Sequence, residues 1–113
     1  MLISKRVYQR KLLELTKGKL DMPRYIIERD IPGIGSAERE QLREAAKKSN
    51  EVLRQMGVSI QWVETYVADE KTFCVYLADN EELIHKHAEI SGFPATKVTE
   101  IRKIIDPTTE QAV

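Results

Sequence analysis

A chain of 113 residues with eighteen basic and eighteen acidic side chains builds at most one domain, and its balanced charge offers no overall field to steer a nucleic acid or an anionic membrane. One cysteine, Cys74, precludes an intrachain disulfide, and no stretch is long or apolar enough for a signal peptide or a membrane span. A reducing cytoplasm is the expected location.

Residues 1 to 21 carry six basic side chains (Lys5, Arg6, Arg10, Lys11, Lys17, Lys19) against Glu14 and Asp21, which leaves twelve basic and sixteen acidic residues for the remainder. The acidic remainder suits cations better than phosphates. The basic segment reads as a short amphipathic helix, a flexible arm, a nucleic-acid tail or, most economically, an extension that precedes the natural start at Met22. "RYIIERDI" is β-branched and aromatic enough for a strand, and "PGIGS" follows as a turn. Ser36 is placed to cap a helix whose small and apolar stripe runs through Leu42, Ala45, Ala46, Ser49, Leu53 and Met56, with Gly57 as its stop. "VSIQWVETYVADEKTFCVYLAD" predicts a β-hairpin with "ADEK" as the connection. Asp79 or Asn80 caps a second helix to about Ser91, Gly92 and Pro94 end it, "KVTEIRKII" is a last strand, and residues 107–113 form a polar tail.

The order β-α-β-β-α-β over residues 22–106 predicts an α+β, ferredoxin-like domain, with two helices on one face of a four-stranded antiparallel sheet. Strict alternation assigns Tyr25, Ile27, Val63, Val67, Phe73, Val75, Leu77, Ile101 and Ile105 to the helix-covered core. The opposite face then carries Ile26, Glu28, Ile60, Trp62, Glu64, Tyr66, Cys74, Tyr76, Glu100 and Arg102, too aromatic to face water, so a face-to-face homodimer is expected.

The chain's two histidines fall in "EELIHKHAEI". Helical phase turns His87 toward the core with Leu83 and Ile90, while Glu81, His85 and Glu89 share the outer face at i, i+4 and i+8. On the residues alone, a hydrogen-bonded core histidine outweighs a ligand at His87. A solvated face outweighs a metal site at Glu81, His85 and Glu89, although imidazole and carboxylate at this spacing hold a borderline divalent ion loosely. A buried inert thiol outweighs a nucleophile at Cys74. Glu28 and Glu64, on an aromatic face, must be paired, hydrated or ligating, with Arg102 as the obvious partner. "GIG" lacks the further glycine of a nucleotide fingerprint, and no Ser-His-Asp or zinc-finger pattern occurs.

"MPRYIIERDIPG", "IQWVETYV", "FCVYLADNEE", "HAEISGFPATKV" and "IDPTT" together resemble the small ferredoxin-like nickel-binding proteins of bacteria, a family first catalogued as a domain of unknown function. The resemblance spans nearly all of residues 22 to 109. It implies a homodimer that binds nickel at its surface, with a part in sequestering or storing the metal rather than in catalysis. Branches of that family carry Asp-x-His in the first strand and a histidine in the first helix; the corresponding positions here are Ile27, Arg29 and Ala46, whereas Cys74 and His87 match. The resemblance thus leaves nickel or another divalent transition metal to His85, His87, Glu81 and Glu89. The rival is a small dimeric α/β-barrel enzyme or ligand-binding protein using a sheet-face cavity lined by Glu28, Trp62, Glu64, Tyr66, Cys74, Tyr76 and Arg102, with Glu28, Glu64, Tyr66 or His87 as acid and base. A third reading is a regulatory module whose basic N-terminal arm contacts a partner.

Overall fold

The structure, a computed structural model, describes residues 22–111. The expected N-terminal extension and the end of the polar tail lie outside the described residues. Four strands, β1 (Arg24–Asp30), β2 (Ile60–Val67), β3 (Lys71–Ala78) and β4 (Lys97–Ile101), form one sheet in the order β2-β3-β1-β4. Every pairing is antiparallel. Helices α1 (Arg39–Met56) and α2 (Glu81–Ser91) connect β1 to β2 and β3 to β4. This is an α+β fold consistent with the ferredoxin-like arrangement.

The helix boundaries follow local chemistry. Asn80 caps α2 by accepting from the Leu83 N–H at 3.1 Å, and Gly92, at φ 81°, ends it in the left-handed conformation that costs glycine nothing. Ser36 does not cap α1. It sits in a single 3₁₀ turn, Ile34–Ser36, and α1 starts three residues later at Arg39, where the Glu38 N–H donates to Gln41 Oε1 at 2.9 Å. The turn is held against the β2–β3 hairpin by Gly35 N–H to Asp69 O at 2.9 Å and Gly33 N–H to the Glu70 carboxylate at 2.8 Å. That docking moves the start of α1 downstream.

Three strand faces differ from the alternation reading, and in β4 the difference is set by β1: Glu100 pairs with Tyr25 and so shares the helix-covered face, whereas Ile101 pairs with Arg24 on the open one. In β2 a bulge between Trp62 and Glu64 inserts Val63 as an extra residue, so Trp62 pairs with Tyr76, Glu64 with Val75, and Thr65 with Cys74. Ile60 and Trp62 therefore share the helix-covered face with Thr65 and Val67, while Glu64 and Tyr66 turn outward. In β3 the helix-covered residues are Thr72, Cys74, Tyr76 and Ala78, and Phe73, Val75 and Leu77 lie on the opposite face. The register explains this: Ile27 pairs with Cys74 and Tyr25 with Tyr76, so the face of β3 is dictated by its neighbour β1. The core comprises Tyr25, Ile27, Ile60, Cys74, Tyr76, Ala78 and Ile84, with Leu53, Met56, Trp62, Leu83, Ala95 and Val98 packed around it. Val63 and Val67 are exposed rather than buried.

β4 is also shorter than the pattern "KVTEIRKII" indicates. It ends at Ile101, Ile105 is 78 % exposed, and residues Pro107–Gln111 form an exposed 3₁₀ turn. In α2 the buried residues are Ile84, His87, Ala88 and Ser91, and Ile90 faces water. The inward phase of His87 and the outward phase of Glu81, His85 and Glu89 are as helical geometry requires.

Candidate functional site

The stripe of small residues on α1 leaves space beneath it. Leu42, Ala45, Ala46 and Ser49 face Trp62, Thr65, Thr72, Cys74 and Tyr76 of the sheet across a partly open cavity of about 260 Å³. Alanine at two of these helix positions supplies little volume, so sheet and helix meet at the rim and not in the middle. Arg29, on β1, and Phe93, in the segment after α2, close one end.

The polar groups of the wall form two linked sets. Arg29 is 3 % exposed. Its Nη1 donates to the carbonyls of Phe93 at 3.4 Å and Pro94 at 2.8 Å, and its Nε donates to Cys74 Sγ at 3.4 Å. Thr72 Oγ1 lies 3.8 Å from the same sulfur. In the second set Ser49 Oγ bridges Tyr76 OH and His87 Nε2, each at 3.2 Å. The His87 and Tyr76 rings are tilted against each other at 5.3 Å.

Burial controls the protonation of this set. It pushes the His87 imidazole below its ordinary value, the Arg29 charge lowers it further, and hydrogen bonding to the Ser49 backbone opposes both. Burial raises the Tyr76 phenol, while hydrogen bonding to Ser49 and the Arg29 charge pull it back. His87 is thus a neutral imidazole 1 % exposed, and its Nδ1 is buried without a hydrogen-bond partner among the described residues. A serine beside a histidine invites comparison with nucleophilic catalysis. That chemistry needs a third group to orient the imidazole through its other nitrogen, and at His87 Nδ1 the described residues provide none.

The other residues singled out by sequence are dispersed. His85 Nε2 and Glu81 Oε2 meet at 3.1 Å on the outer face of α2, both side chains 53 % exposed; Glu89 is exposed on the same helix. His87 lies apart from them in the interior. Glu28 pairs with Lys71 at 3.6 Å, Glu64 accepts from Tyr66 OH at 3.0 Å, and Arg102 pairs with Glu100 at 2.9 Å. Arg102 is therefore not the partner of Glu28 or Glu64, because β4 ends before it. Of the seven residues expected to line a sheet-face cavity, Trp62, Cys74 and Tyr76 do line a cavity, but on the helix-covered face. Glu28, Glu64 and Tyr66 belong to the opposite one. Thr72 is a wall residue that sequence reading passed over, Ser49 belongs to the inward stripe read from sequence but has no chemical role there, and Arg29 continues the phase of Tyr25 and Ile27 along β1, which marks a basic side chain turned inward.

Residues 25–101 match the family model described as the nickel responsive protein SCO4226-like. The chain belongs to that family. No curated protein matches it. Among solved structures, the crystal structure of SCO4226 from Streptomyces coelicolor A3(2) superposes with a TM-score of 0.62 at 14 % identity, covering 73 % of this chain and 99 % of that one. At such identity the superposition concerns the fold.

Whether this member of the SCO4226-like family can hold nickel is tested by its donors. Among the described residues no group of three or more His, Cys, Asp or Glu side chains is arranged to hold a metal ion. In the cavity the thiol of Cys74 faces a guanidinium, which is a fixed cation and no ligand, and His87 Nε2 is engaged by Ser49. The buried residues do not fit the metal. The Glu81–His85 pair offers two exposed donors of the right chemistry. No described helix is long and apolar enough to cross a membrane.

Proposed function

We propose that this protein is a non-catalytic binder of nickel or a similar divalent ion, acting in its sequestration or storage as a cytoplasmic homodimer. The observation that carries the site is the 3.1 Å approach of His85 Nε2 to Glu81 Oε2 on an exposed helix face, with Glu89 one turn further on. Imidazole and carboxylate suit nickel, copper and zinc, and an unselective pair of this kind favours copper. With two or three protein donors and water completing the shell, affinity is modest. His87, held by Ser49 in the interior, contributes to stability in preference to coordination.

The dimer uses the sheet face that no described helix covers. Ile26, Phe73, Leu77 and Ile101 are half-buried there and Tyr66 is 57 % exposed. An apolar face of this composition is covered by a second copy in two-sheet dimers. Calorimetric titration with nickel, zinc, copper and cobalt tests the metal reading. His85→Ala is expected to reduce nickel affinity at unchanged stability, and silence with all four ions overturns the proposal.

One observation favours a second reading, a protein that binds a small molecule. The 260 Å³ cavity under α1 is lined by apolar side chains around a few polar ones, as ligand sites are.

A further inference from the structure

Arg29 is a buried charge with no carboxylate partner among the described residues. A guanidinium 3 % exposed is normally matched by a carboxylate. The carboxylates that form ion pairs among the described residues are Glu28, Asp30, Glu81 and Glu100, and their partners are Lys71, His85 and Arg102. Arg29 has instead two backbone carbonyls, both on Nη1, the Cys74 sulfur on Nε, and the Phe93 ring at 5.9 Å from the guanidinium carbon. Sulfur is a weak acceptor. Among these hydrogen bonds, the edge formed by Nε and Nη2, the one that grips a carboxylate through two parallel hydrogen bonds, carries a thiol, and the guanidinium also acts on the Tyr76 phenol, whose pKa its hydrogen bond and charge pull down. Nη2 makes none of the hydrogen bonds to Phe93, Pro94 and Cys74, and Arg29 is part of the cavity wall.

The rest of the wall sets the size and character of what this edge meets. Benzene occupies an apolar cavity of about 150 Å³. The present 260 Å³ takes a ring or short branched chain together with one carboxylate, and is too small for a nucleotide. Trp62, Leu42, Ile34 and Val67 offer apolar contact to such a body. A metal cation is repelled by the same guanidinium that attracts an anion.

We propose that the cavity between α1 and the sheet binds a small organic monocarboxylate, whose carboxylate sits on the Nε–Nη2 edge of Arg29 and whose apolar body packs against Trp62 and Leu42. This deepens the small-molecule reading and is independent of the metal site on α2. The ligand supplies a counter-charge that the described residues do not give Arg29.

Trp62 is the chain's one tryptophan and reports occupancy by its fluorescence. The full-length protein is titrated with sodium benzoate and, as the neutral isostere, benzamide, with the thermal midpoint followed in parallel. Benzoate is expected to give a saturable change in Trp62 emission and a raised midpoint, with benzamide at least tenfold weaker, since a charge-assisted hydrogen bond is lost. Arg29→Gln is expected to abolish the preference for benzoate. Should that variant fail to fold, Ala46→Leu decides, because it keeps Arg29 and fills the space; it is expected to remove benzoate binding. Equal affinity for the two probes overturns the anion assignment while leaving a small-molecule cavity, and no response to either overturns both. Unchanged benzoate binding in Ala46→Leu also overturns the proposal, by placing the ligand elsewhere.

Discussion

Acidification is expected to destabilise this protein through His87. The imidazole is 1 % exposed, its pKa is lowered by burial and by the Arg29 charge, and its Nδ1 has no partner among the described residues. In the unfolded chain the same side chain titrates near 6.5. Above that pH both states hold a neutral imidazole, and the folded state keeps its full stability. As pH falls below about 6.5, the unfolded state takes up a proton that the folded state refuses, so stability declines until the lowered folded pKa is reached. One proton of difference gives a slope of at most about 1.4 kcal/mol per pH unit. For a domain of this size that corresponds to roughly 4–8 °C of thermal midpoint for each kcal/mol. Urea unfolding at pH 7.5, 6.5 and 5.5, comparing the wild type with His87→Gln and His85→Ala, measures it. His87→Gln starts lower, by about 1–3 kcal/mol, because the Ser49–Tyr76 pair loses its third member, but its stability should change less between pH 6.5 and 5.5. His85→Ala should track the wild type. If His87→Gln loses stability in parallel with the wild type over that interval, the buried neutral imidazole is not the source of the pH dependence.

Three further outcomes follow from the packing. Gly35→Ala places a Cβ 2.7 Å from Asp69 Cα and 2.9 Å from Ala68 O, both backbone atoms that cannot swing aside, so it should cost about 1–3 kcal/mol, read as a lower urea midpoint. Phe73→Glu puts a charge on the uncovered sheet face, and sedimentation should show a shift toward monomer with little loss of monomer stability; a mutant that still dimerises, or a wild type monomeric at micromolar concentration, removes that face as the interface. Deleting residues 1–21 should leave the thermal midpoint nearly unchanged, and a large fall in calorimetry would make that segment part of the fold.

Local chemistry is legible in this sequence. The apolar stripe of α1, the Asn80 cap, the Gly92 stop and the inward turn of His87 all depend on residues within a few positions of one another, and sequence carries that information directly. Element order follows from it, and with it an α+β fold. The phase of β2 and β3 does not. Strict alternation fails wherever one residue is inserted, and the bulge at Val63 leaves no local mark, because its cause is the pairing of Trp62 with Tyr76 across the hairpin. A slip of one residue sends every following side chain to the other face, which is why Glu64 and Tyr66 stand on the open face although Ile60 and Trp62 do not; Cys74 and Tyr76 stand in the core because β3 pairs with Ile27 and Tyr25 of β1. The cavity is likewise a product of tertiary structure. Arg29, Ser49, Cys74 and His87 come from β1, α1, β3 and α2, and only the closing of both helices over the sheet makes them neighbours. What the sequence alone determined was the inward turn of His87 and of the small stripe on the first helix, while Ile90, turned inward by helical phase, faces water; the tertiary structure decided that a buried arginine faces the space left beneath the helix, where the described residues form no metal-binding cluster.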